Sequence, residues 1–336
     1  MGKPPTIADV ASLAGVHKAT ASRALNPRTS DQVNAKTARR VLMAAKRLGY
    51  QPNALARSLR TNRSATLGVL IPDLTNPLFP LVVRGIEDTI GAHGYTALLA
   101  NTDNDPLRTQ TQFDALLSRK VDGFLIASAM RDDPLLTRVA EQGIPVVLIN
   151  RTTDAPLFPA VTGDDEAGVA TAVEHLVGLG HRHIAHLSGP ATVSTGLVRA
   201  QAFHHAIAAH SLPEVVVECA SYSESAGAAA ASCLLEEHPE TTAILAGNDM
   251  IALGVLQALS ERGLDCPREI SLIGFNDMLF VDKLTPPLTT VHVPHHRLGA
   301  EAAQLLLDQL AGADSTPKRV SLPLRLVVRG STGSAC

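Results

Sequence analysis

Ten side chains in the sequence are of the types that bind a hydroxyl-rich small molecule, and most of them directly follow an apolar run. They are Asp73, Asn76, Phe79, Asn150, Arg151, Thr195, Arg199, Tyr222, Asn248 and Asn276. Amide, carboxylate and guanidinium groups form hydrogen bonds with hydroxyls, and an aromatic ring stacks on the apolar face of a sugar. The pattern predicts a binding site. Two neighbouring carboxylates, Asp249 and Asp277, are instead expected to cap the N-termini of helices.

A second set of side chains is suited to bind a polyanion. Residues 1–63 contain twelve Lys and Arg against two Asp and Glu, which gives this segment a net charge of +10. The remaining residues contain 17 basic and 30 acidic side chains, a net charge of −13. A basic segment of this strength at one end of an otherwise acidic chain indicates nucleic-acid binding.

Residues that could support catalysis or bind a metal form no functional pattern. His181, His183 and His186 lie close together, but the apolar residues between them indicate a strand edge rather than a zinc site. The four cysteines are scattered and include no C-x-x-C pair. The sequence contains no phosphate-binding loop, dinucleotide fingerprint or nucleophile elbow. We therefore expect no catalytic residue, no metal and no cofactor.

Alternating strand-like and helical segments must position the ten candidate binding residues. Strand-like apolar runs occupy residues 67–71, 96–101, 123–128, 145–150, 183–188, 215–218, 243–247 and 270–275. This alternation predicts parallel sheets with right-handed crossovers. The part of the chain after residue 63 is too long for one such sheet. We therefore predict two doubly wound lobes that are joined near 161–163, 290–292 and 320–322. Ligands bind outside the carboxyl ends of such strands, which predicts a cleft between the lobes.

The basic N-terminal segment has the pattern of three short helices. Thr6 and Asp9 fit a capping box at the start of the first helix, and Gly15 ends it. The second helix is predicted from about His17 to Leu25. The third is expected to begin near Thr29 or Ser30 and to run to Leu48. Three helices around a small aliphatic core predict a helix-turn-helix, whose second helix enters the major groove of DNA.

Several sequence motifs resemble those of the lactose-repressor (LacI/GalR-type) family of transcription regulators. The N-terminal matches are ADVASLAGVHKATASRALN and the hinge-helix-like GYQPNALARSLR. Further matches follow in order: IPDLTNPLF, VDGFLIAS, IPVVLINR, VEHLVGLGHRHIAHLSGP, AGNDMIALG and ISLIGFND. The resemblance covers about the full length of the chain. It implies an all-α helix-turn-helix headpiece followed by an α/β core of two periplasmic-binding-protein-like lobes.

The resemblance also implies which residues contact DNA. Lys18, Ala19 and Arg23 match positions that read bases, where Arg pairs with guanine and Ala contacts a thymine methyl. Further DNA-contacting positions, which anchor phosphates or act as local caps, are Thr6, Thr20, Ser22, Asn26, Tyr50 and Asn53. His17 replaces the usual Ser at the start of the recognition helix, where it either contacts a phosphate or is a solvated residue without a role.

Residues 51–63 are similar to the family's hinge. Pro52 suits the first turn of a helix, and a helix of about two turns is marginal by itself. The resemblance implies that this helix folds when it pairs with its dimer mate on DNA. Leu59 matches the minor-groove wedge, with Arg57 and Arg60 beside the phosphates or the groove floor. The alternative is that Leu59 packs on the core.

Eight of the ten candidate binding residues match effector-contacting positions of the family; Asp73 and Asn76 are added by their place after the first strand. Asn150 and Asn276 replace the acids that are frequent in relatives. Val193 replaces an Arg of the purine-repressor branch, so the resemblance argues against a purine as the effector of this chain. The resemblance thus favours a sugar or a sugar acid.

Together these observations predict a homodimeric, effector-controlled DNA-binding regulator that acts on a palindromic operator. We expect this regulator to be a repressor. The predicted domains are a helix-turn-helix at 1–50, a hinge at 51–63 and an effector-binding and dimerisation core at 64–336. Within the core, lobe 1 comprises about 64–162 and 292–320, and lobe 2 about 163–291 and 321–332. No signal-peptide core or apolar run of membrane-spanning length is present, so we expect a cytoplasmic location without membrane contact.

Two other functional classes remain as alternatives at this point. A transport-type sugar-binding protein shares the two-lobed fold. However, an N-terminal segment with a net charge of +10 has no function in such a protein, which also needs an export signal. A sugar-modifying enzyme shares the α/β class, but it needs a catalytic constellation. The sequence leaves open whether the effector releases or promotes DNA binding.

Overall fold

The computed structural model describes residues 5–25, 29–50, 63–312 and 316–335. The chain forms two units, Met1–Ser64 and Ala65–Cys336. The first unit, here called the head, is helical. The second, here called the core, contains two six-stranded sheets with helices packed around them. The predicted fold class, a helical head followed by two parallel-sheet lobes, is confirmed.

The head consists of three α-helices around a small aliphatic core. They are α1 (Ile7–Ala14), α2 (Lys18–Ala24) and α3 (Ala35–Leu48). Val10, Ala21 and Val41 are fully buried where the three helices meet. This aliphatic centre of the head is built from Ala and Val, so the three helices approach closely and leave their charged side chains outside.

The start of α1 is the predicted capping structure. The backbone N–H of Thr6 donates to Asp9 Oδ2 at 2.7 Å, and the Thr6 hydroxyl donates to the same oxygen at 2.8 Å. Gly15 ends the helix at φ +61°, a left-handed conformation that glycine adopts without strain. The local sequence therefore fixes both ends of this helix.

The third helix begins later than the sequence predicted. Residues Ser30–Gln32 form a separate 3₁₀ turn, and Val33 is extended. Asn34 then starts α3, because its Oδ1 accepts a hydrogen bond from the Lys36 N–H at 2.9 Å. The prediction of a helix start at Thr29 or Ser30 was wrong, since Asn34 is the residue whose side chain satisfies a free amide of the first turn.

Lobe 1 is a six-stranded parallel sheet in the order β11-β5-β4-β3-β1-β2. Its strands are β1 (Thr66–Ile71), β2 (Thr96–Asn101), β3 (Gly123–Ile126), β4 (Val146–Ile149), β5 (Ala160–Gly163) and β11 (Arg319–Leu322). Its helices are α4 (Leu78–Ala92), α5 (Pro106–Ser118), α6 (Pro134–Glu141) and α11 (His295–Leu310). Helices α4 and α11 pack closely because Gly85 faces the His296 carbonyl, where a Cβ would lie 1.9 Å from the oxygen.

Lobe 2 repeats this architecture in the order β12-β10-β9-β8-β6-β7. Its strands are β6 (Ile184–Ser188), β7 (Val215–Glu218), β8 (Ala243–Ala246), β9 (Ser271–Asn276), β10 (Thr289–His292) and β12 (Arg325–Val327). Its helices are α7 (Asp165–Gly178), α8 (Ser194–Ala209), α9 (Glu224–Glu237) and α10 (Asp249–Arg262). A 3₁₀ turn spans Val281–Lys283.

Four short strands were not predicted as strands. β5, β10, β11 and β12 have three or four residues each and lie at the three places where the chain passes between the lobes. β12 pairs with β10 in the antiparallel sense, so lobe 2 is not purely parallel. These strands put the crossings at the sheet edges, next to the carboxyl ends that face the cleft.

Two of the three closely spaced histidines of lobe 2 are buried and form hydrogen bonds within the protein. His181 is buried, with Nδ1 2.9 Å from Thr242 Oγ1 and Nε2 3.0 Å from Ser271 Oγ. His186 is buried on β6 and its Nδ1 lies 2.8 Å from the Leu245 carbonyl oxygen. His183 is exposed. Within the described ranges, no group of three potential metal ligands converges, and no helix has the length and apolarity to cross a membrane.

Candidate ligand cleft and nucleic-acid interface

A cavity of about 130 Å³ lies between the carboxyl ends of the strands of the two lobes. All ten side chains that the sequence singled out line this one cavity. Five further residues line it that were not predicted as binding residues: Pro72, Leu78, Asn104, Ser221 and Ser223. Asn104 and Ser221 lie three residues beyond a strand end, and Ser223 lies five residues beyond one. No apolar run directly precedes these three residues, so the sequence pattern did not indicate them.

The first strand of lobe 1 leads into a loop that closes one end of the cavity. Asp73 Oδ1 accepts bonds from the Thr75 N–H at 2.8 Å and from the Thr75 hydroxyl at 2.7 Å. Asn76 Oδ1 accepts from the Leu78 N–H at 3.1 Å at the start of α4. Phe79 is buried, so its ring belongs to the core of lobe 1 as well as to the cavity wall. The local bonds fix this loop before any ligand arrives.

Arg199 projects from α8 of lobe 2 and is almost fully buried. Its Nη1 donates to the Gly247 carbonyl oxygen at 2.7 Å, and its Nη2 donates to Asp165 Oδ1 at 3.2 Å. The guanidinium lies 3.8 Å from the centre of the Phe275 ring. Burial raises the pKa of Asp165, and the Arg199 charge opposes that shift. The guanidinium is thus held in one orientation by a carboxylate, a carbonyl and an aromatic face.

Arg151 enters the cavity from lobe 1, two residues after the end of β4. Its Nη1 donates to Asn104 Oδ1 at 2.8 Å, while its buried Nε has no hydrogen-bond partner. Burial lowers the pKa of Arg151 to about 10; Tyr222 opposes this shift and Arg199 adds to it. The neighbouring Asn150 adopts φ +65°, which turns the chain into the cavity.

Tyr222 forms the lobe 2 wall opposite Arg151. Its hydroxyl donates to Thr195 Oγ1 at 3.0 Å, and burial raises its pKa. The ring lies against Gly189, where a Cβ would lie 2.1 Å from Tyr222 Cζ. Only glycine leaves room for the ring at this place, so Gly189 allows Tyr222 to take its position in the cavity wall.

The cap of α10 differs from the sequence prediction. Asn248, not Asp249, is the N-cap, because Asn248 Oδ1 accepts from the Ile251 N–H at 2.8 Å. Asp249 is fully buried and accepts from the Thr290 hydroxyl at 2.6 Å and from the Met278 N–H at 2.8 Å. Burial raises the pKa of Asp249 to about 7.

Asp277 also does not cap a helix. Its Oδ1 accepts from Arg329 Nη2 at 2.6 Å, and its Oδ2 lies 2.9 Å from His292 Nδ1. The prediction that Asp249 and Asp277 are caps was wrong, because Asp249 bonds to Met278 and Thr290. Asp277 instead contacts His292 and Arg329. The cavity-lining Asn276 has a buried Oδ1 without a partner.

Hydrogen bonds cross between the lobes beside the cavity. Arg131 of lobe 1 donates from its backbone N–H to the Thr192 carbonyl oxygen at 3.1 Å and from Nη1 to the Ala191 carbonyl oxygen at 2.9 Å. Asp154 binds the same guanidinium through two contacts of 2.9 and 3.0 Å. Sequence reasoning missed this contact, since the partners are about 60 residues apart and share no motif.

The head presents one exposed face of α2. Lys18, Ala19 and Arg23 are exposed, whereas Ala21 and Ala24 are buried against the other helices. His17 caps α2, with its Nδ1 accepting from the Ala19 N–H at 3.3 Å. Thr20, Ser22 and Tyr50 are half-buried, and the Thr6 side chain is bound to Asp9. Asn26, Asn53, Arg57, Leu59 and Arg60 lie outside the described residues.

Comparisons with known proteins identify the family. A family model for bacterial regulatory proteins of the lacI family matches residues 6–53, and a periplasmic binding protein-like domain model matches residues 173–332. The ribose operon repressor of Halalkalibacterium halodurans is 35% identical over 328 residues, with 97% of each chain covered. The chain belongs to the LacI family. It is a DNA-binding regulator with a ligand-binding core, and the relatives found are transcriptional regulators rather than enzymes.

Solved structures of LacI-family proteins have the same architecture. The Lac repressor dimer bound to operator and to the anti-inducer ONPF matches with a TM-score of 0.87 at 28% identity, covering 99% of this chain and all of that one. A LacI family transcriptional regulator from Enterococcus faecium with bound ribose matches with a TM-score of 0.70 at 30% identity, covering 81% of this chain and all of that one. This chain therefore shares its fold with solved LacI-family structures.

Proposed function

We propose that this LacI-family chain is a homodimeric repressor that binds a palindromic operator through its head and a sugar-class effector through the cavity between its lobes. The observation that carries the proposal is the cavity itself. Ten binding-type side chains from both lobes converge on one space of about 130 Å³, which is the scale of a single sugar. A ligand that contacts both lobes acts on the angle between them.

The head supplies the DNA-binding surface in this proposal. Lys18, Ala19 and Arg23 lie on one exposed face of a helix that His17 caps, so their side chains are free to reach base edges in a major groove. The sugar-phosphate backbone of DNA would be contacted by Thr6, Thr20, Ser22, Asn26 and Tyr50. The DNA contacts of the hinge would come from Asn53, Arg57, Leu59 and Arg60. Two heads on a dimer read two half-sites, as the operator-bound Lac repressor dimer supports.

The ligand class follows from the polar groups of the cavity. The walls present amides, hydroxyls and guanidinium groups together with two aromatic rings, which suits a molecule rich in hydroxyls. The ribose operon repressor and the ribose-bound regulator support a sugar by likeness. We place the chain in the cytoplasm, where bacterial operators lie, and assign it no catalytic role.

The test begins with DNA selected by the full-length chain from a random library, since the operator is read by the protein itself. We expect enrichment of a palindrome, and a binding constant that falls at least tenfold between 50 and 200 mM salt, because phosphate neutralisation releases counterions. A panel of monosaccharides and sugar acids is then added. We expect at least one to change the DNA affinity fivefold or more.

Two variants make the result specific. Arg23→Gln is expected to weaken operator binding by tenfold or more and to relax the preference at one base of each half-site. Arg119→Gln, which removes an exposed charge in lobe 1, is expected to change neither. Sugar binding without any sequence-selective DNA binding would contradict the proposal and favour a transport-type binding protein.

A further inference from the structure

The two arginines of the cavity differ in how their charges are balanced. Arg199 is paired with Asp165 at 3.2 Å and stacked on Phe275. Arg151 is 5% exposed, and among the residues that the structure describes no Asp or Glu forms an ion pair with it. Its protein partner is the neutral amide of Asn104. The cavity therefore contains one neutralised cation and one cation without a counter-ion.

The buried Nε atoms of both arginines are without a partner, but only Arg199 is bonded through both of its Nη atoms. Arg151 Nη1 is the donor to Asn104 Oδ1, and Arg151 Nε is closed off from solvent without a hydrogen bond in the described protein. A guanidinium donates through a planar fork, and a carboxylate or phosphate accepts two parallel bonds from such a fork. Asn104 is bonded to one nitrogen, and the other two nitrogens form no hydrogen bond with the described residues.

The other walls of the cavity do not supply the missing negative charge. The side chains at the strand ends are the amides of Asn150, Asn248 and Asn276. The carboxylate that lines the cavity, Asp73, accepts two bonds from Thr75 through its Oδ1, and among the described residues it forms no ion pair with Arg151. Amides at these places accept and donate hydrogen bonds, but they carry no charge that could pair with Arg151.

Burial of an unbalanced charge is unfavourable, and this applies to the buried guanidinium of Arg151. Burial lowers the pKa of Arg151 to about 10, and the nearby Arg199 charge lowers it further. A buried guanidinium is stabilised when an anion comes within hydrogen-bond distance in the same low-dielectric space. A ligand that carries the anion would provide this stabilisation only while it is bound.

We propose that the effector is a monosaccharide-sized anion, a polyol with one carboxylate or phosphate group, and that Arg151 binds the anionic group. The proposal rests on the proposed function, in which the cavity is the effector site. It adds the charge of the ligand and the residue that recognises that charge. The hydroxyls of the polyol would face the amides and Tyr222, and the anion would face the side of Arg151.

The experiment compares each neutral sugar with its own charged derivatives on the purified full-length chain. The probes are ribose, ribonate and ribose 5-phosphate, then glucose, gluconate, glucuronate and glucose 6-phosphate, then galactose, galactonate and galacturonate. Binding is measured by calorimetry at constant ionic strength, so that general salt effects are equal. We expect at least one charged member to bind tenfold or more tightly than its neutral parent. The carboxylate and phosphate arms show which of the two anions the site takes.

Variants assign the preference to Arg151. Arg151→Gln is expected to reduce the ratio between charged and neutral ligand affinities at least tenfold, and Arg151→Lys to retain part of it. Arg119→Gln, which removes an exposed charge in the same lobe, is the matched control. The melting temperature without ligand adds a second measurement. We expect Arg151→Gln to leave it unchanged or to raise it, because the variant removes an unbalanced buried charge.

Three results would overturn the inference. They are a neutral sugar that binds as tightly as its acid and its phosphate, a panel in which no anion binds, and a charged-ligand preference that persists in Arg151→Gln. The outcomes separate the two proposals. If neutral sugars bind and alter DNA affinity, this inference fails and the proposed function stands. If an anion binds through Arg151 without any effect on DNA affinity, the inference stands and the proposed regulation fails.

Discussion

Asp165 and Arg199 form an ion pair that is almost entirely closed off from solvent. Their side chains are 10% and 3% exposed, and Asp165 Oδ1 lies 3.2 Å from Arg199 Nη2. Asp165 begins α7 and Arg199 lies in the second turn of α8, so the pair joins the two helices behind the cavity. The carboxylate neutralises the guanidinium and thereby allows it to stay at the cavity wall.

Replacement of the carboxylate should therefore be costly. Asp165→Asn leaves the Arg199 charge buried without its partner, and we expect the free energy of unfolding to fall by about 3–5 kcal/mol. Denaturant titration of the full-length chain measures this change. The matched control is Glu301→Gln, which removes the acid of the exposed Arg297–Glu301 pair and should cost less than about 1 kcal/mol. Equal effects of the two substitutions would contradict the account of this pair.

The contact between Arg131 and the 191–192 loop should favour the closed arrangement of the lobes. Arg131→Ala removes the Nη1 bond to the Ala191 carbonyl oxygen and releases Asp154. We expect the cleft to open in a larger share of molecules. Pulsed electron spin resonance measures this as a longer and broader distance between labels on exposed Cys233 of lobe 2 and on a cysteine that replaces exposed Ser118 of lobe 1.

The control for the lobe distance is a variant within one lobe. Arg138→Ala removes a side-chain bond to Gln110 inside lobe 1 and should leave the distance distribution unchanged. The other accessible cysteines are replaced by serine in all samples. A distribution that is the same in Arg131→Ala and in the parent chain would show that Arg131 does not hold the lobes together.

His186 should make the stability of the core depend on pH. The ring is buried beside Phe203, and burial lowers its pKa to about 4, from its usual value of 6.5 in an unfolded chain. The unfolded state therefore binds more protons between these values. The stabilisation is complete above pH 6.5 and is lost as the pH falls toward 4. We expect a loss of about 2 kcal/mol between pH 6.5 and 4.5.

The contribution of His186 is obtained as a difference between variants. His186→Gln should remove about 2 kcal/mol of the pH-dependent loss, while exposed His210→Gln should retain it. Buried His295 and Asp249 titrate in both variants alike, so their effects cancel. A pH profile of unfolding that is parallel in His186→Gln and in the parent chain would exclude His186 as its source.

His17 should stabilise the start of α2 in place of the serine that the family resemblance leads one to expect. Its Nδ1 accepts from the Ala19 N–H, so His17→Ala leaves that amide without a partner and should cost about 1 kcal/mol. We expect amide exchange in α2 of the full-length chain to become about fivefold faster. His17→Ser provides an oxygen cap and should restore slow exchange. If alanine and histidine give the same exchange rates, the cap has no energetic role.

The sequence predicts much of this molecule because its local rules agree with its packing. Alternating apolar runs and helices predicted both sheets, and residues placed after strand ends came together because parallel strands end at one edge. Capping residues predicted α1 correctly. The start of α3 was missed because Thr29 and Ser30 have the same capping chemistry as Asn34. In the structure Thr29 Oγ1 donates to the Arg23 carbonyl oxygen instead, and Asn34 caps α3.

Features that depend on distant contacts could not be predicted. The strands at the lobe crossings, such as β10 and β12, are too short to show a period. Asp249 looks like a cap next to Asn248, yet its partners Met278 and Thr290 come from other elements. The lack of a counter-ion at Arg151 is likewise a property of the assembled cavity, since it depends on every side chain that packs around it.

The most direct test of the central claim measures coupling between the cavity and DNA in both directions. A ligand that changes the DNA affinity by some factor must have its own affinity changed by DNA by the same factor. We expect calorimetry with the ligand, with and without saturating operator, to give the factor found in DNA titrations with and without ligand, between about 5 and 150. A ligand that binds the cavity with the same affinity in the presence and absence of operator would contradict the account.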